Sequence, residues 1–115
     1  MELKLNIYID EELSGIEKTY TRQDFELSTA VAEDILDLIN IDMFTGELSE
    51  TQQFAQLAQL VVKGKAAFKD LVKKVFKGVT EDELRRTSLK EFVRVVYNII
   101  VYTIAGLTSV ADQKN

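Results

Sequence analysis

At 115 residues, with 46% hydrophobic and 29% charged positions, the chain has the size and composition of one ordinary globular domain with a single core. Histidine and cysteine are both absent, which excludes imidazole triads, thiolate nucleophiles, disulfides and the commonest metal ligands. The formal net charge of −5 is unevenly divided, since residues 1–62 hold 3 basic against 13 acidic side chains and residues 63–115 hold 11 against 6.

Met1 to Asp10 carries Glu2 and Asp10 and has no apolar run with basic flanks, so no signal peptide is expected. Leu3, Leu5, Ile7 and Ile9 alternate with Lys4, Asn6 and Tyr8, the period of a strand with one face on a core. Asp10 to Gly15 supplies turn chemistry. Ile16 to Arg22 then resumes as a second strand, with Ile16, Lys18 and Tyr20 on one face and Glu17, Thr19 and Thr21 on the other. Two strands alone are marginal in water, so this hairpin must lie on helices or on another subunit, and its outer edge is a candidate contact surface.

From Ser28 the period becomes helical, with Val31, Ile35 and Leu38 on one line, and a helix is expected to Asn40. Asp42 to Leu48, with Gly46, interrupts it. Ser49-Glu50-Thr51-Gln52 has the form of a capping box, and Phe54, Leu57, Ala58 and Val61 give the apolar stripe of the helix that follows. Gly64 should end or kink that helix, and the next carries Phe68, Leu71, Val72, Val75 and Phe76. Gly78 closes it. Thr80-Glu81-Asp82-Glu83 is a second capping box, with three carboxylates where the helix dipole favours negative charge. Thr87 or Ser88 then starts a long helix predicted to stop at Gly106.

The expected fold is therefore α+β and mostly α-helical, an N-terminal β-hairpin at 3–22 followed by about four to five helices over 28–105. Residues 1–107 form one domain and residues 108–115 a frayed tail. The last helix is apolar almost all round, so it is either the central core helix or presents one face to a second chain. Tyr97 and Tyr102 bring hydroxyls to that surface, a combination suited to an interface. Its apolar run, Val95 to Leu107, includes Asn98 and Thr103 and is shorter than the roughly 20 residues that span a bilayer, so no membrane partner is expected.

Glu33, Asp34 and Asp37 lie close on one helix, but no calcium-loop or Glu-x-x-His pattern accompanies them and a solvated acidic face is expected. No metal, no cofactor and no catalytic group is predicted. Lys63, Lys65, Lys69, Lys73, Lys74 and Lys77 form a basic row opposed only by Asp70. Phosphate binding by this Lys63–Lys77 helix is the alternative reading, a small nucleic-acid-associated or regulatory protein. The pI near 4.8 and the lack of a recognition-helix or phosphate-loop motif oppose it. Pairing of acidic and basic ends among copies, or docking to an acidic partner, fits the charge division better, with Lys65, Lys69, Lys73, Lys74, Tyr97 and Tyr102 as candidate contact residues.

The stretch Phe76-Lys77-Gly78-Val79-Thr80-Glu81-Asp82-Glu83-Leu84, continued by Arg85 to Val93 and the β-branched helix, resembles the carboxy-terminal half of phage tail assembly chaperones. The likeness covers Phe68 to Ile104, about a third of the chain. Within it Phe76, Gly78, Val79, Thr80, Glu83 and Leu84 occupy a turn of structural role. The resemblance implies a non-catalytic homo-oligomer of the infected bacterium's cytoplasm, absent from the mature virion. It would coat the tape-measure protein and help recruit tail-tube subunits. A host protein-interaction adaptor is the remaining alternative.

Overall fold

The computed structural model describes residues 2–23, 27–40 and 42–113, with residue 45 and residues 107–113 described by their backbone. Strands β1 (Glu2–Tyr8) and β2 (Ile16–Gln23) form an antiparallel hairpin. Among the described residues six helices follow: α1 (Thr29–Leu38), α2 (Asp42–Thr45), α3 (Glu50–Lys63), α4 (Lys65–Val75), α5 (Glu81–Arg85) and α6 (Leu89–Gln113). The protein is thus α+β and mostly helical. None of the described helices is long and apolar enough to cross a membrane.

The two strands contribute unequally. Leu3, Leu5 and Ile7 of β1 are fully buried, each removing an apolar side chain from water. Their cross-strand neighbours on the same face are Arg22, Tyr20 and Lys18, so β2 offers polar groups to the helices where β1 offers hydrocarbon. Arg22 Nη1 donates to the Val75 carbonyl at 2.7 Å, satisfying an acceptor at the end of α4. Between Ile7 and Tyr8 the register slips, Ile7 pairing with Lys18 and Tyr8 with Ile16, so Glu17 is the extra residue of a bulge. The bulge turns Ile16 away from the face of Lys18 and Tyr20, and both Ile16 and Ile9 stand exposed. The even alternation expected through Ile9 and Ile16 therefore fails at the hairpin tip.

The helix boundaries follow the caps. The Ser28 hydroxyl accepts from Val31 N–H at the start of α1. Both capping boxes form: Ser49 with Gln52 opens α3, and Thr80 with Glu83 opens α5. Gly64 ends α3 and adjoins α4 directly. Of the two frames available at Thr87–Ser88, Ser88 caps α6, with its hydroxyl 3.4 Å from Glu91 N and its carbonyl accepting from Phe92 N–H. Thr87 instead donates to the Leu84 carbonyl at 2.7 Å and closes α5. The segment expected only as an interruption at 42–48 contains the one-turn helix α2.

α6 lies against β1 on one side and α3 on the other. Val93, Val96, Ile99 and Ile100 are buried to 1% exposure or less, which makes α6 the central helix of the core. It does not stop at Gly106. The helix continues to Gln113, so most of the expected frayed tail at 108–115 has a helical backbone, and residues 114–115 lie outside the described residues. A mid-helix glycine costs only about 1 kcal/mol, less than the run of helical hydrogen bonds that an early stop would forfeit, and no proline follows to enforce one.

Candidate functional site

The turn from Phe76 to Leu84 is built by its own residues. Gly78 takes φ +95°, a conformation that side-chain-bearing residues avoid, while Phe76, Val79 and Leu84 are buried around it. Glu83 is the hub. Its carboxylate accepts from Thr80 N–H at 2.9 Å and from the Tyr20 hydroxyl at 2.7 Å, and it forms an ion pair with Lys18. Burial pushes the Glu83 carboxyl up, but Lys18, Tyr20 and the Thr80 N–H together outweigh it and hold the group at about 2. The sequence marks Glu83 as a cap. That it also fastens the hairpin to the helices is a contact across more than 60 residues which no local pattern announces.

The basic row is largely committed within the molecule. Lys69 and Lys73 bracket Glu81 at 3.1 and 2.9 Å, and Lys74 reaches Asp34 at 2.7 Å. Lys73 first and then Lys69 lower the Glu81 carboxyl below its ordinary value. A phosphate approaching these lysines would have to displace Glu81 and Asp34. Lys63, Lys65 and Lys77 are exposed. Asp34 is thus an ion-pair partner, and no cluster of three or more potential metal-ligating side chains occurs among the described residues.

The two tyrosines differ. Tyr97 points into the core, 8% exposed, with its hydroxyl donating to Gln53 at 2.8 Å and its ring tilted against Phe44 and Phe54. Its polar tip is satisfied by α3 and not by a wet interface. Arg94 lies over the Phe54 ring at 4.6 Å, with its guanidinium also 3.3 Å from Glu50. Tyr102 is half-buried.

A groove opens between α3, α4 and the α5–α6 turn, with a volume of about 230 Å³. Val61, Leu84 and Phe92 form its buried floor, Val62 and Leu89 its exposed apolar rim, and Lys65 and Lys69 its charged edge. In the last turn of α3 Val61 is buried and Val62 exposed. Ligand pockets hold roughly 300–1,000 Å³, so this groove suits a few side chains of another polypeptide rather than a cofactor. A larger trough of about 570 Å³ runs along the outer face of β1 beside α6. Its floor is polar and internally satisfied, with Asn6 and Tyr8 both donating to Glu91 at 2.7–3.0 Å.

At the hairpin tip, Ile9, Leu13 and Ile16 are exposed beside Asp10, Glu11 and Glu12. Leu13 sits at φ +61° in a loop tied by Asp10, whose carboxylate accepts from the N–H groups of Glu12 and Ser14. The sequence assigns Ile9 and Ile16 to the two strands and residues 10–15 to the turn between them, and so misses the patch, because only the bulge reveals that Ile16 leaves the face of Lys18 and Tyr20 and that Ile9 stands exposed. Comparison of the chain with protein-family models, with characterised proteins and with solved structures finds no match in any of the three.

Proposed function

We propose that this chain is a non-catalytic phage tail assembly chaperone, which self-associates, binds the tape-measure protein and helps recruit tail-tube subunits around it. The observation that carries the reading is the distribution of exposed apolar surface. Among the described residues the large exposed hydrophobics are Ile9, Leu13, Ile16, Val62 and Leu89, and they gather in two patches of opposite charge instead of scattering singly. A monomer working alone has little use for such patches. A subunit that lines up with others along a rod-like client uses both apolar contact and charge register. The resemblance over Phe68 to Ile104 supplies the identity of the client, a long tape-measure protein in the infected cell's cytoplasm, and implies release before the virion is complete.

The test is co-expression with a candidate tape-measure protein from adjacent genes. The expected result is that the partner becomes soluble and co-elutes with the chain. A partner that stays insoluble and unbound beside well-folded chain overturns the reading.

A further inference from the structure

We propose that the apolar groove between α3, α4 and α6 is the socket for the hairpin tip of a second copy of this chain. Each surface supplies what the other lacks. The tip projects three exposed hydrophobes, Ile9, Leu13 and Ile16, among the carboxylates of Asp10, Glu11 and Glu12. The groove offers an apolar floor, the exposed rim residues Val62 and Leu89, and the ammonium group of the exposed Lys65, that of Lys69 being paired with Glu81. Burying hydrocarbon drives the contact, and the charges select acidic tip against basic rim.

The tip does not fill its own groove. Glu11 pairs with Arg85 at 3.0 Å and holds the loop against the end of α5, yet Leu13 remains exposed and no tip residue lines the groove. A leucine in the left-handed region is unfavourable, and here that conformation displays the side chain to solvent. Donor and acceptor surfaces differ, so the contact is heterologous and can propagate from copy to copy unless symmetry closes it. A loop tip in a groove of this size buries little area, which makes the association weak and reversible.

The contact stands on geometry and charge and does not require the tape-measure assignment. Sedimentation velocity over a concentration series of the full chain tests it with two variants. Leu13→Asn removes the tip hydrophobe while suiting the positive φ, so it should fold at least as well as the parent. Leu89→Asp blocks the groove and places a carboxylate in the first turn of α6, where the helix dipole favours it. The wild type should self-associate as concentration rises, and each variant alone should do so about tenfold or more weakly. An equimolar mixture should recover a two-chain complex, because the intact groove of one accepts the intact tip of the other. A wild type that stays monomeric throughout overturns the proposal. So does either variant associating like the wild type, or a mixture no more associated than its parts. Client rescue failing while the mixture complements would sink the chaperone reading and leave this contact standing.

Discussion

Replacing Glu83 with glutamine removes one charge from the junction of hairpin and helices while keeping the side chain's shape and one carbonyl acceptor. In the wild type the carboxyl is held at about 2, against an ordinary value of 4.5. A difference of that size corresponds to ~3 kcal/mol in favour of the folded state. Lys18 is half-exposed, and solvent screening of that partner brings the working figure to about 2 kcal/mol. Because the folded value is depressed, this stability is fully present above pH 4.5 and is lost as the pH falls toward 2. Glu83→Gln should therefore lower the thermal midpoint at pH 7 by about 8 °C. The difference should shrink through pH 4 and close near pH 2, so that the variant's own stability is flatter with acid. Unfolding curves by circular dichroism from pH 2 to pH 7 read both quantities. A variant as stable as wild type at pH 7, with the same acid profile, would refute the reasoning that Glu83 fastens the two layers.

Two glycines should respond to alanine with opposite sign. Gly78→Ala meets no steric neighbour but must adopt φ +95° and should lose about 1–2 kcal/mol, whereas Gly106→Ala, also in open space and within α6, should gain about 1 kcal/mol; urea denaturation of both variants checks this. Ile100→Ala empties a fully buried position on α6 and should cost 2–5 kcal/mol, visible as a lower urea midpoint with an unchanged slope. Ser49→Ala removes the hydroxyl that accepts from Gln52 N–H and should cost about 1 kcal/mol by the same measurement.

Features that depend on neighbours in sequence are readable from the sequence. Ser28, Ser49, Thr80 and Ser88 each cap the helix they precede, because a capping hydroxyl finds its N–H two or three residues on. The stripe of Phe68, Leu71, Val72 and Val75 is buried for the same local reason. What sequence did not disclose depends on distant partners. Tyr97 looks like an interface tyrosine until Gln53, 44 residues earlier, accepts its hydroxyl proton. Lys69, Lys73 and Lys74 look like a free basic row until Glu81 and Asp34 fold against them. The groove is invisible in one dimension, since Val62 and Leu89 become its rim only when α3 and α6 are brought together.

The packing of β1 against α6 also bears on events during synthesis. Leu3, Leu5 and Ile7 leave the ribosome well before α6, against which β1 lies, and Asn6 meets Glu91 across 85 residues. At ~5–20 residues per second the strand waits about 4–17 s for that helix. During this interval a hydrophobic hairpin with open edges is exposed to other nascent chains. A chain paused or truncated before α6 would keep the hairpin's ties to Val75 and Glu83 but lack the central core helix that lies along β1, so premature termination should yield aggregates rather than a smaller folded domain.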